Sequence, residues 1–84
     1  MKFYYVTFRS VTYAQRGDRL LQGAGYRSTL LRTPRWMEER GCGYCLRLWT
    51  KDVYPAVERL RSAQLPLRKV YIQGRDGQLE EITV

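Results

Sequence analysis

The sequence predicts an α+β fold: one antiparallel sheet, two helices on one of its faces, and an extra C-terminal strand. Three observations carry this. "FYYVTF" (3–8) and "YCLRLW" (44–49) alternate with the period of two that belongs to strands. Val53, Ala56, Val57 and Leu60 recur at i, i+3, i+4, i+7, the apolar stripe of a helix. "GRDG" (74–77) separates two short β-rich runs, as a hairpin turn does.

Each element follows in order. In the first strand Tyr4, Val6 and Phe8 share one face, and Phe3, Tyr5 and Thr7 the other. Ser10 is a helix N-cap by residue type. The helix it opens runs from Val11 to about Ala24, with Val11, Ala14, Leu20 and Leu21 on one side and Gly17 permitting close approach. Gly23-Ala24-Gly25 ends it. "YRSTLLRT" (26–33) is a second strand stopped by Pro34, and "PRWMEERGCG" (34–43) is a loop. In the third strand Tyr44, Leu46 and Leu48 oppose Cys45, Arg47 and Trp49. Thr50 or Asp52 caps the second helix, Pro55 is tolerated in its first turn, and "LPL" (65–67) breaks it. "KVYIQ" and "LEEITV" form the final hairpin. The order β-α-β-β-α-β plus one strand is the ferredoxin-like split βαβ arrangement. At 84 residues the chain reads as a single domain, 1–84. A chain this short buries only about 60 to 65 % of its unfolded surface. Large apolar or aromatic groups on the open sheet face would gain from cover, so a homodimer or a larger assembly through that face or an edge strand is expected.

The net charge of +7 favours acidic partners, and only Lys2, Lys51 and Lys69 of the fifteen cations are lysines. Arginine forks suit oxyanions; a solvated arginine surface is the plainer reading. "MKFYYVTFRS" has no sustained apolar run and does not read as a signal peptide. No stretch approaches the roughly 20 apolar residues of a membrane span. The expected location is the cytoplasm, where thiols stay reduced.

Both cysteines fall in "GCGYC" (41–45). A thioredoxin-type dithiol needs its first cysteine at a helix N-terminus, whereas "LRLW" after Cys45 has strand periodicity. A closed zinc site needs four ligands; this chain has two thiols and no histidine, so only a site shared across a dimer would complete one. In a third reading one thiol works alone. Cys42 ends the loop beside two glycines, Arg35 and Arg40 are near in sequence, Arg9 is near in space, and Cys45 is a packing residue. In a fourth, both cysteines simply fill space. No phosphate loop, metal cluster or paired carboxylate is visible.

"YYVTFRSVTYA" (4–14), "TPR" (33–35) and "CGYCLRL" (42–48), in that order, resemble the small-domain family called putative selenium/sulfur carrier protein-like. The resemblance implies a sulfur or selenium carrier rather than a stand-alone enzyme. Cys42 would be the carrier thiol, followed by Gly43, with Arg35 and Arg9 as supporting cations and Cys45 outside the core motif. The family's loop tends to be serine-rich where this chain has "WMEERG". The implied partners are proteins that donate and accept the cargo atom; no cofactor, metal or membrane is implied. The competing reading is a basic RNA- or protein-binding module without thiol chemistry. It would use Tyr5, Tyr71 or Trp49 on the open sheet face, although "FYYVTF" lacks the glycines of the ribonucleoprotein motif.

Overall fold

The computed structural model describes residues 2–33 and 43–84. It contains β1 (Lys2–Phe8), α1 (Val11–Gly23), β2 (Arg27–Arg32), β3 (Tyr44–Thr50), α2 (Val53–Ser62), β4 (Leu67–Gln73) and β5 (Leu79–Ile82). The five strands form one sheet in the order β2-β3-β1-β4-β5, every neighbouring pair antiparallel. The strands joined by α1, β1 and β2, therefore lie on either side of β3. Those joined by α2, β3 and β4, lie on either side of β1. The expected α+β class, hairpin included, is what the chain adopts.

The alternation in β1 and β3 sorts the side chains between faces. Tyr4 pairs with Leu48 and Val6 with Leu46, and on the far side of β1 Val6 pairs with Val70. These residues share one core with Phe8, with Ala14 and Leu21 of α1, and with Val53, Ala56, Val57 and Leu60 of α2. Both amphipathic stripes thus meet the same sheet face. Gly17 shows why α1 carries a glycine mid-helix, where alanine would be the better helix former. A Cβ there would lie 3.1 Å from Leu60 Cδ2, 3.2 Å from Phe8 Cζ and 3.3 Å from Leu46 Cδ1. The two helices and the two central strands converge on that point.

The helix ends follow local chemistry. Ser10 Oγ accepts from Tyr13 N–H at 3.2 Å, and Asp52, rather than Thr50, caps α2 by accepting from Tyr54 N–H at 3.0 Å. Thr50 instead accepts from Asp52 N–H, bracing the cap from the strand side. Both helices stop in the same motif, with the N–H two residues past the cap bonded back five residues. Tyr26 N–H donates to Leu21 O at 2.9 Å, and Leu65 N–H to Leu60 O at 3.0 Å. The left-handed position is Gly25 (φ 90°) in α1 but Gln64 (φ 60°) in α2. A non-glycine residue there costs about 1 kcal/mol. Pro66 therefore follows a helix that has already ended at Ser62, and "LPL" is not what breaks it.

Thr7 is the one buried polar side chain of β1, and its hydroxyl is fully used. It accepts from Lys69 N–H at 3.0 Å and donates to Lys69 O at 3.3 Å. That double contact sits where the β1–β4 register shifts between Val6 and Phe8, holding the irregularity in place.

Tyr4 faces the helices and is nearly buried. Burial first, then the charge of Asp52 and Tyr54, raises its pKa above the ordinary tyrosine value. The folded state therefore holds the phenolic proton more tightly than the unfolded chain. Stability contributed by the protonated phenol is complete below about pH 10 and falls as pH rises through the folded pKa. Urea midpoints measured between neutral and strongly alkaline pH should drop more steeply for the wild type than for Tyr4→Phe. Equal slopes would show that Tyr4 does not carry the effect.

Candidate functional site

The entrance to β3 is built on one glycine. Gly43 is buried with φ 82°, a conformation side chains other than glycine rarely adopt, and its carbonyl accepts from Thr33 N–H at 2.8 Å. This bond closes the chain between the end of β2 and the start of β3. Cys42, Arg35 and Arg40 lie outside the described residues. Gly43, Cys45 and Arg9 lie within them.

β3 places Tyr44, Leu46 and Leu48 toward the helices and Cys45, Arg47 and Trp49 on the other face, as its alternation predicts. Being a strand, it removes the helix N-terminus that a thioredoxin-type pair beginning at Cys42 would need. Cys45 pairs with Thr7 on one side and Leu31 on the other and is completely buried. It is a packed residue of the sheet.

The register brings cationic groups to the same sheet end as Gly43. Arg9 is two residues beyond Thr7, and Gly43 is two before Cys45, Thr7's partner, so the two flank one end of the β1–β3 pair. Arg9 is exposed. Arg32, the last residue of β2, pairs with Tyr44, and its guanidinium carbon lies 5.4 Å from the centre of the Tyr44 ring. Arg68 follows Leu67, the partner of Phe8, at this end too. The N-terminus of α1 emerges here directly after β1, and its first turn contains no acidic residue. A helix N-terminus and fixed guanidiniums both favour a negative charge nearby, including a thiolate or a persulfide. As parts of the site, Arg32, Arg68 and the N-terminus of α1 are not signalled by the sequence. Aligning "YRSTLLRT" against "YCLRLW" as a hairpin would have set Arg32 opposite Tyr44.

The family described as "Putative Se/S carrier protein-like" matches residues 3–72. The chain belongs to this family. No curated protein and no solved structure matches it.

In this Se/S carrier-like chain the matched stretch runs from Phe3 in β1 to Ile72 in β4. It includes both helices and the Cys42-Gly43 step, and leaves β5 outside. Among the described residues, no group of three or more Cys, His, Asp or Glu side chains is placed to hold a metal ion, and no helix is long and apolar enough to cross a membrane. The aromatic residues considered for the open face do lie there. Tyr5 pairs with Arg47 and with Tyr71, and Phe3 with Trp49. Tyr71 is nearly buried, whereas Trp49 is exposed.

Proposed function

We propose that this protein carries sulfur or selenium on Cys42, on a ferredoxin-like split βαβ scaffold that spans residues 1–84 as one domain. The observation that carries the reading is the family match across the Cys42-Gly43 step, joined to the cationic groups at the sheet end where Gly43 enters β3. The Cys42 thiolate attacks the terminal sulfur of a persulfide on a donor protein. A new S–S bond forms at Cys42, the donor's S–S bond breaks, and the donor cysteine leaves as thiolate. The acceptor's nucleophile then takes the terminal sulfur and Cys42 departs as thiolate. No net oxidation occurs, and neither step uses a metal or cofactor. With selenium, the same exchange passes through a selenium–sulfur bond.

Each supporting residue has a limited task. Gly43 lets the backbone turn sharply into β3, so that a partner's persulfide can come close. Arg9 and Arg35 favour thiolate at Cys42. Cys45, packed in the sheet, takes no part. The partners are donor and acceptor proteins, and a reducing compartment such as the cytoplasm keeps the carrier thiol ready. The protein works as a carrier and not as a stand-alone enzyme.

Intact mass after incubation with a cysteine desulfurase and cysteine tests this. The wild type and Cys45→Ser should gain the mass of one or more sulfur atoms, reversibly on adding reductant, while Cys42→Ser should gain none. Selenocysteine with a selenocysteine lyase supplies the selenium arm. Uptake by Cys42→Ser equal to the wild type, or none by the wild type from either donor, would remove the proposal.

A further inference from the structure

At the sheet end opposite Gly43, β1 and β3 present a different surface. Phe3 and Trp49 are register partners on the face that the helices do not cover. Their rings meet edge to face, centroids 4.3 Å apart and planes at 79°. The Arg47 guanidinium lies 4.9 Å from the centre of the Phe3 ring. Arg27 is Trp49's partner on β2 and is exposed. Trp49 is 39 % exposed although its neighbours hold it in place. Phe3 also lines a groove of about 500 Å³ with Lys2, Ile72, Gln73, Gly74 and Arg75.

Among the described residues, the charges lining this patch are one-sided. Arg47 lies over Phe3, Arg27 pairs with Trp49, and Lys2 and Arg75 line the groove beside Phe3, where no described carboxylate appears. Among the described residues, the nearest acids are engaged or turned away; Glu81, on the open face as Tyr71's partner, is ion-paired with Lys69 at 3.6 Å. Asp76 accepts from Gln78 N–H inside the hairpin turn, and Asp52 caps α2 on the helix side. Glu80, exposed on β5, pairs with Ile72, whose side belongs to the helix-covered face.

From this juxtaposition we infer that the Phe3–Trp49 end of the sheet binds single-stranded nucleic acid. An exposed indole held on edge by a second ring is a stacking platform for a base, and guanidiniums beside it meet the phosphates. An acidic peptide would satisfy the cations but has no flat ring system to match the indole. A duplex keeps its bases stacked away from a flat sheet surface. RNA and DNA single strands share the chemistry the patch reads. The inference is independent of the thiol: the platform and Gly43 sit at opposite ends of β1, which at 3.3 Å per residue puts them roughly 20 Å apart.

Fluorescence anisotropy with labelled U-rich RNA and T-rich DNA of about 12 nucleotides, and with a duplex of equal length, tests it. The single strands should bind more tightly than the duplex, with affinity falling as salt rises from about 50 to 200 mM. Trp49→Ala should weaken single-strand binding about tenfold or more, and Trp49→Phe should restore most of it. Arg47→Ala should weaken binding and flatten its salt dependence. The double variant Arg27→Ala/Arg75→Ala changes exposed positions only, and should weaken binding even if Trp49→Ala fails to fold. Duplex binding equal to single-strand binding would overturn the inference, and so would single-strand affinity within about twofold of wild type in the folded variants. Sedimentation showing a dimer that Trp49→Ala dissolves would overturn it in favour of a second copy of this chain.

Discussion

Phe8→Ala is expected to remove about a quarter or more of the protein's folding free energy. Phe8 is completely buried, and its ring fills the point where α1 passes closest to the sheet. Gly17 has no side chain to occupy the space that would open, and Leu46 and Leu60 approach the same point from β3 and α2. A truncation of this kind costs about 3 to 5 kcal/mol. At 0.05 to 0.15 kcal/mol per residue, a chain of this length has about 4 to 13 kcal/mol in total. Urea unfolding followed by far-ultraviolet circular dichroism should show the midpoint falling by about a quarter or more. Phe8→Leu, which keeps most of the volume, should lose about 1.5 kcal/mol or less. If Phe8→Ala lost no more than Phe8→Leu, the convergence of four elements on this ring would not be the centre of the core.

The second large effect concerns thiol reactivity. In reduced Cys42→Ser protein the remaining thiol, Cys45, is fully buried between Thr7 and Leu31. An alkylating reagent reaches it only when β3 separates from its neighbours. β3 is central, paired on both sides, so that opening costs close to the whole unfolding free energy. Even at about 4 kcal/mol, native Cys45 should react roughly a thousandfold more slowly than the same thiol in urea. In Cys45→Ser protein, Cys42, the proposed carrier thiol, should react far faster than native Cys45. Comparable native rates for the two single variants would contradict the separation of one packed and one working cysteine.

Much of this architecture is legible locally. The strand faces of 3–8 and 44–49, the stripe from Val53 to Leu60, the Ser10 cap and the close approach at Gly17 depend only on periodicity or on one residue's geometry. What was not legible depends on pairing between distant strands. Arg32 meets Tyr44, and Arg47 meets Phe3, only once β2–β3 and β1–β3 have chosen a register. The Arg47–Phe3 contact joins residues 44 positions apart, which no local pattern specifies, whereas Arg32–Tyr44 needed only the β2–β3 register. The end of α2 was missed for a different reason. Glutamine carries no sign that it will accept the left-handed conformation of Gln64, so proline two residues later looked like the stop. The candidate site divides in the same way: Gly43 and Cys45 could be placed from alternation, while the cationic sheet end around Arg9, Arg32 and Arg68 needed the assembled sheet.

The hydrogen bond between Thr33 and Gly43 has an evolutionary consequence. The bond ties Thr33 to Gly43 across nine residues of sequence, 34–42. Closing a loop costs free energy that grows only with the logarithm of its length, so doubling those nine residues would cost about 0.6 kcal/mol. Changes of length between Arg35 and Cys42 therefore cost the described sheet little. Selection can alter the length of the segment before Cys42 while leaving the scaffold intact, and relatives of this chain should differ in length here more than in β1, α1 or β3.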